Sequence, residues 1–164
     1  MLASTGLAEC MSARPTHGRE QRVTKQSDDT HSEALTEAEI RAATVGELTP
    51  LAQPIEIVDY DPEWPRLYER EERRIRQALG DRIVLIEHAG STSVPGLAAK
   101  PRIDILLVVP DSADEVAFVP LLEAVGYVLR IREPDWYEHR MFNGPDTDVN
   151  LHIFSPGCPE IERM

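Results

Sequence analysis

Long apolar runs are missing from this chain, and so are paired cysteines, a dense set of aromatics and any excess of positive charge. No stretch reaches the ~18 consecutive apolar residues that a membrane helix needs, so no membrane span is expected. The two cysteines, Cys10 and Cys158, stand far apart with no Cys-x-x-Cys spacing. That argues against a zinc site and fits two free thiols in a reducing cytoplasm. Lys and Arg number 17 against 29 Asp and Glu, a net charge of −12. Binding nucleic acid non-specifically requires cations that neutralise phosphates, so this balance excludes it. A small anion held locally by backbone N–H groups stays open. What the chain does have is 41% hydrophobic residues in 164, which is enough for one domain with tails.

Residues 1–34 are rich in Ser, Thr, Glu, Gln and Arg and show no apolar period, so a disordered tail is expected. The tail is expected to run to about residue 54, with one short helix near 37–44. Thr36 and Glu39 have capping-box spacing, with Ile40 and Ala43 on one face. Pro50 and Pro54 read as a linker. From Ile55 the pattern becomes regular. IEIVDY (55–60) reads as a strand, and DPEWP opens a helix that Gly80 stops. Trp64, Leu67, Tyr68, Ile75, Ala78 and Leu79 fall on or near one stripe of that helix and are read as core.

Strands are expected at 83–87, 103–109, 127–132, 137–143 and 148–154. A helix through Val116, Val119, Leu122 and Val125 is expected to start at the Ser112-x-x-Glu115 box. Strands outnumber helices in this order. The expected fold is α+β, a mixed sheet covered mainly on one face by helices.

Chemistry concentrates between residues 88 and 109, HAGSTSVPGLAAKPRIDILLVV. Gly90, Ser91, Thr92 and Ser93 offer free N–H groups and hydroxyls, the parts of a phosphate cradle. Lys100 adds a point charge. Asp104 alternates with Ile103, Ile105 and Leu107, and so shares a face with Leu106 and Val108. A carboxylate there needs a metal, a cation or strong hydrogen-bond donors. Asp148, Asn150 and His152 share one face of the last strand. His88 ends the strand before the loop, placed to orient a loop hydroxyl or meet a ligand. Arg140 and His139 alternate, so only one can face a site. Arg140 has the fork that suits phosphate and is taken as the anion ligand, with His139 left to surface or packing.

Three stretches, DYDPEWPRLYEREERRIRQALG, EHAGSTSVPGLAAKPRIDILLVV and DVNLHIFSPGCPEIERM, together resemble the GrpB family over roughly residues 55–164. The resemblance implies the nucleotidyltransferase superfamily and its polymerase-β-type fold. It also implies a nucleotide or other phosphate-bearing ligand, with Asp104 holding Mg²⁺ and Ser91 in the catalytic loop. The superfamily pattern is Gly-Ser, a spacer, then Asp-hydrophobic-Asp/Glu. Gly90-Ser91, twelve intervening residues and Asp104-Ile105 fit it. Leu106 departs from it, and a leucine cannot hold the second ion of a metal pair. Asn150 and His152 supply no negative charge in its place.

The family also continues past Met164 into a helical segment. A truncated domain is therefore expected, with a sheet face open to another chain. Two roles stay open by resemblance. One is an active nucleotidyltransferase with an unknown acceptor. The other is a non-catalytic accessory domain related to coenzyme A biosynthesis, since related domains are fused to dephospho-coenzyme A kinase.

Overall fold

The computed structural model describes residues 36–47, 54 and 56–164, which fall in one compact unit, Leu35–Met164. The helices are α1 (Glu37–Ala43), α2 (Trp64–Leu79) and α3 (Val119–Ala124). The strands are β1 (Leu85–Ala89), β2 (Ile103–Val108), β3 (Val128–Glu133), β4 (His139–Asn143) and β5 (Val149–Phe154). They form one five-stranded sheet in the order β1-β2-β5-β4-β3. Only β2 and β5 run parallel; every other neighbour is antiparallel. The expected mixed α+β sheet is what forms, and the expected tail 1–34 lies outside the described residues.

Alternation explains why the central strands pair as they do. Ile103, Ile105 and Leu107 of β2 and Val149, Leu151 and Ile153 of β5 point to one face and are buried there. The apolar stripe of α2 closes this face through Trp64, Ile75 and Leu79, and α3 adds Leu122. A fully buried Leu or Ile contributes about 1.5–3 kcal/mol, so this layer holds the fold together. Glu71 of α2 is also completely buried. Its carboxylate accepts from Arg74 (2.9 Å), Arg70 (3.2 Å) and the Tyr127 hydroxyl (2.7 Å). Buried charge survives only when paired in this way. Burial pushes the Tyr127 phenol well up, so it stays a donor to Glu71.

Three local expectations fail. The segment 55–60 is not a strand: of its described residues only Val58 pairs, in a single two-bond bridge to Ala99. Pro101 follows two residues later and has no N–H to extend the pairing. The Ser112–Glu115 capping box does not form either. Ser112 instead bonds Ser155 through both its N–H and its hydroxyl at 2.9 Å. Glu115 turns away to Arg132 and Arg140, and a single 3₁₀ turn, Glu115–Ala117, leaves Val116 85% exposed. The α-helix then begins at Val119, where Pro120 is tolerated in the first turn.

The second sheet face is not bare, as an open sheet would be. Ala89, Leu106, Val108 and Phe154 form a smaller apolar cluster there. Trp136, Cys158, Ile161 and Met164 pack against it. At the sheet edge the Thr36–Glu39 capping box forms at the start of α1. Thr44 and Val45 then bond along β3, at Ile131 and Arg130.

Candidate functional site

Strand register divides the second face into rows. Ala89, Asp104, Asn150 and Asn143 lie side by side across β1, β2, β5 and β4. The next row is Glu87, Leu106, His152 and Met141. The third runs through Leu85, Val108 and Phe154, with His139 and Glu133 at its β4–β3 end. The first row is polar and abuts the Gly-Ser loop. The third is apolar at its centre and covered by the chain after β5.

Asp104 explains the conformation of the loop beside it. Gly90 has φ +68°, and a Cβ there would come within 2.7 Å of Asp104 Oδ2, so only glycine fits. The other carboxylate oxygen accepts from Asn150 Nδ2 at 3.0 Å, and Asn150 Oδ1 accepts from Asn143 Nδ2 at 3.2 Å. This amide chain fixes which way Asn150 points. His152 Nε2 stands 3.9 Å from Asp104 Oδ1. The Asp104 and His152 side chains remain 29% and 23% exposed, so this polar corner is reachable from solvent.

A line of rings continues from His152. Its Nδ1 meets His139 Nε2 at 3.0 Å, and His139 Nδ1 meets Glu133 Oε2 at 2.7 Å. Trp136 crosses His139 edge-on, and Phe154 stacks on it. His139 is buried, and burial lowers its pKa against the opposing pull of Glu133. The turn that delivers Trp136 and His139 carries two consecutive non-glycine residues at positive φ, Tyr137 (54°) and Glu138 (51°). Such backbone is costly and marks a place where geometry is held by its surroundings.

The structure redistributes the expected site residues. Gly90, Ser91, Asp104, Asn150 and His152 gather at the polar corner or on its loop, but two of the N–H groups expected to be free are engaged: Gly90 N–H donates to the Met164 carbonyl (3.1 Å) and Ser93 N–H to the Gly90 carbonyl (3.2 Å). Ser91 and Lys100 have no side-chain hydrogen bond or ion pair among the described residues. Arg140 does not join them. Phe142 points into the core, so Arg140, two residues away, points to the same helix-covered face. There it is buried and bonded to Glu115 (2.6 Å), Glu138 (3.1 Å) and the His139 carbonyl (3.1 Å). Hydrogen bonds from Arg132 and Arg140 hold the Glu115 carboxyl below its usual range. His139, expected to be packing or surface, does pack, buried between Trp136 and Phe154 on the site's side of the sheet, and it reaches the corner only through its bond to His152.

Thr92 and Ser93 are also spent internally. Thr92 donates to the Arg102 carbonyl (3.2 Å), so the His88 Nε2 at 3.1 Å must be the donor to Thr92. Ser93 donates to the Gly90 carbonyl (2.7 Å). His88 lies on the helix-covered face, stacked on Tyr68, and burial lowers its pKa. It shapes the loop from behind. Asp148 pairs with Arg102 at 2.7 Å.

A resident Mg²⁺ on Asp104 does not fit this donor set. Mg²⁺ asks for an octahedron of oxygens. Asp104 is the one carboxylate of its row, and Asn150 turns an N–H toward it. Leu106 occupies the second motif position at 2% exposure, inside the apolar cluster. Among the described residues no three His, Cys, Asp or Glu side chains come together to hold an ion.

A mixed sheet carrying a Gly-Ser loop beside an aspartate strand is consistent with the nucleotidyltransferase superfamily. The chain belongs to the GrpB family: the profile described as GrpB protein matches residues 54–164. A UPF0157 protein of Halalkalibacterium halodurans is 61% identical over 137 residues, covering 84% of this chain and 70% of that one. A dephospho-CoA kinase of Mycolicibacterium paratuberculosis is 40% identical over 77 residues, 45% of this chain but 19% of the kinase. The crystal structure of the conserved protein GrpB from Enterococcus faecalis superposes with a TM-score of 0.59. It is 31% identical and covers 66% of this chain and 67% of that one. Among the described residues no helix is long and apolar enough to cross a membrane.

Proposed function

We propose that the polar corner between the Gly90–Ser93 loop and the Asp104–Asn150–His152 group binds a phosphate-bearing small molecule, with a nucleotide as the first candidate. One observation carries this reading. A carboxylate and an imidazole are fixed by neighbours yet left partly open, beside a loop whose glycine exists to let that carboxylate approach. The chemistry divides the ligand. Ser91 and Lys100, which have no side-chain partners among the described residues, suit phosphate oxygens. Asp104 and His152 suit the hydrogen-bond donors of a sugar or an acceptor group. Mg²⁺ enters only as the counterion that the nucleotide carries. Placement in the cytoplasm is part of the same reading.

A second reading is transfer of a nucleotidyl group to an acceptor hydroxyl. The open face of His152 favours it; the loss of the second carboxylate at Leu106 weighs against a two-ion version. The match to part of a dephospho-CoA kinase supports an accessory role beside nucleotide-linked chemistry. Calorimetric titration with ATP, GTP, CTP and UTP, each with and without Mg²⁺, tests the proposal. Saturable binding that Asp104→Asn abolishes supports it. No binding by protein shown to be folded removes it.

A further inference from the structure

The ring array has a definite proton order. Glu133 is a carboxylate and only accepts, so His139 Nδ1 carries a proton toward it. Neutral His139 then has a lone pair on Nε2, which must accept, so His152 Nδ1 carries the proton between the rings. Neutral His152 is left with its lone pair on Nε2, aimed toward Asp104 at 3.9 Å. That distance is too long for a hydrogen bond. Two acceptors therefore face each other across a solvent-reachable gap. The opposite order would put the lone pair of His139 against the Glu133 carboxylate at 2.7 Å, which is repulsive.

We infer that His152 Nε2 is the proton acceptor of this cleft, taking the proton of a ligand hydroxyl or amine seated between it and Asp104. His139 and Glu133 act as positioning residues that fix its tautomer. The inference rests on the reading of the corner as the ligand site. The proton leaves the ligand oxygen or nitrogen and forms an N–H bond at His152 Nε2. The electron pair of the broken bond stays on the ligand atom, which becomes the nucleophile. The imidazolium lies between carboxylates, with Asp104 at one end of the array and Glu133 at the other. The charged and titratable groups facing it are Asp104 from β2, His139 from β4 and, through His139, Glu133 from β3. Arg140 adds a like charge beside His139 from the opposite face. Burial favours the neutral form of His139. This supplies by a fixed base what a second metal-bound carboxylate would otherwise supply.

The test is long-range ¹H–¹⁵N spectroscopy of the imidazoles in the full chain, joined to diethyl pyrocarbonate labelling mapped by mass spectrometry. The expected result is neutral His152 as the Nδ1–H tautomer, labelled on Nε2 faster than His139, whose two nitrogens are engaged. His139→Phe keeps the stacking ring and removes both nitrogens. It should relax the tautomer ratio by about five- to tenfold, the size that one hydrogen bond sets. Glu133→Leu should do the same, and Glu133→Gln, which still accepts, should restore the lock. A neutral His152 protonated on Nε2, or a ratio unmoved by His139→Phe in folded protein, overturns the inference. A locked, reactive His152 in a protein that binds no nucleotide removes the nucleotide reading alone and supports the acceptor geometry.

Discussion

The two faces of this sheet carry the same strands and obey opposite rules. On the helix-covered face every second residue of β2 and β5 is a large apolar side chain, and the buried charges that intrude, Glu71 and Arg140, are paired. On the other face the side chains grade from apolar to polar along the strands, and the polar end keeps a carboxylate and an imidazole partly open. Among the described residues no buried side-chain nitrogen or oxygen lacks a partner, so the open groups are open by exposure and not by faulty packing. Saturated polar groups build a scaffold, and unsaturated ones beside a shaped loop build a site.

Substitutions should separate the faces by size of effect. Ile105→Ala empties a completely buried position under α2 and should cost about 2–5 kcal/mol in urea denaturation. Leu106→Asp tests whether the superfamily carboxylate can simply be put back. Leu106 sits in the apolar cluster between Glu87 and His152, so the new charge should cost about 2–4 kcal/mol and create no ion site of its own. Gly90→Ala should cost about 1–3 kcal/mol, because a Cβ at φ +68° strikes the Asp104 carboxylate. It should also remove nucleotide binding. Asp104→Asn should leave stability within about 1 kcal/mol, because the side chain is partly exposed and the Asn150 amide retains an acceptor. Calorimetry should still lose the ligand.

The smallest effect is with pH. His139 has a folded pKa below the ordinary imidazole value, so its contribution to stability is full above about pH 6.5 and is lost as pH falls through the lowered folded value. His88 acts in the same direction. Denaturation midpoints measured downward from neutral pH should therefore fall, and His139→Gln should flatten only part of that slope.

Much of this was legible in the residues themselves. The alternation of Ile103, Ile105 and Leu107 against Asp104, and of Val149, Leu151 and Ile153 against Asn150 and His152, gave the central strands and their faces because side-chain period in a strand is fixed at two. Arg140 shows where chemistry misled. Phosphate affinity favoured arginine, but the parity of Phe142 already placed position 140 in the core and 139 on the site side. The Ser112 box failed because hydroxyl and carboxylate both found partners distant in sequence, at Ser155 and at Arg132 and Arg140. No local pattern contains that information. The histidine line also depends on the pairing of β4 with β5 and β3, which a single strand does not reveal.

The most direct test of the contrast between faces is a backbone-amide map of ¹⁵N-labelled protein titrated with Mg·ATP. The account predicts saturable shifts confined to Gly90, Ser91, Lys100, Asn150 and His152, with Ile105, Phe142 and Arg140 unmoved. Shifts centred on Arg140 and the helix-covered face, or none in folded protein, would contradict it.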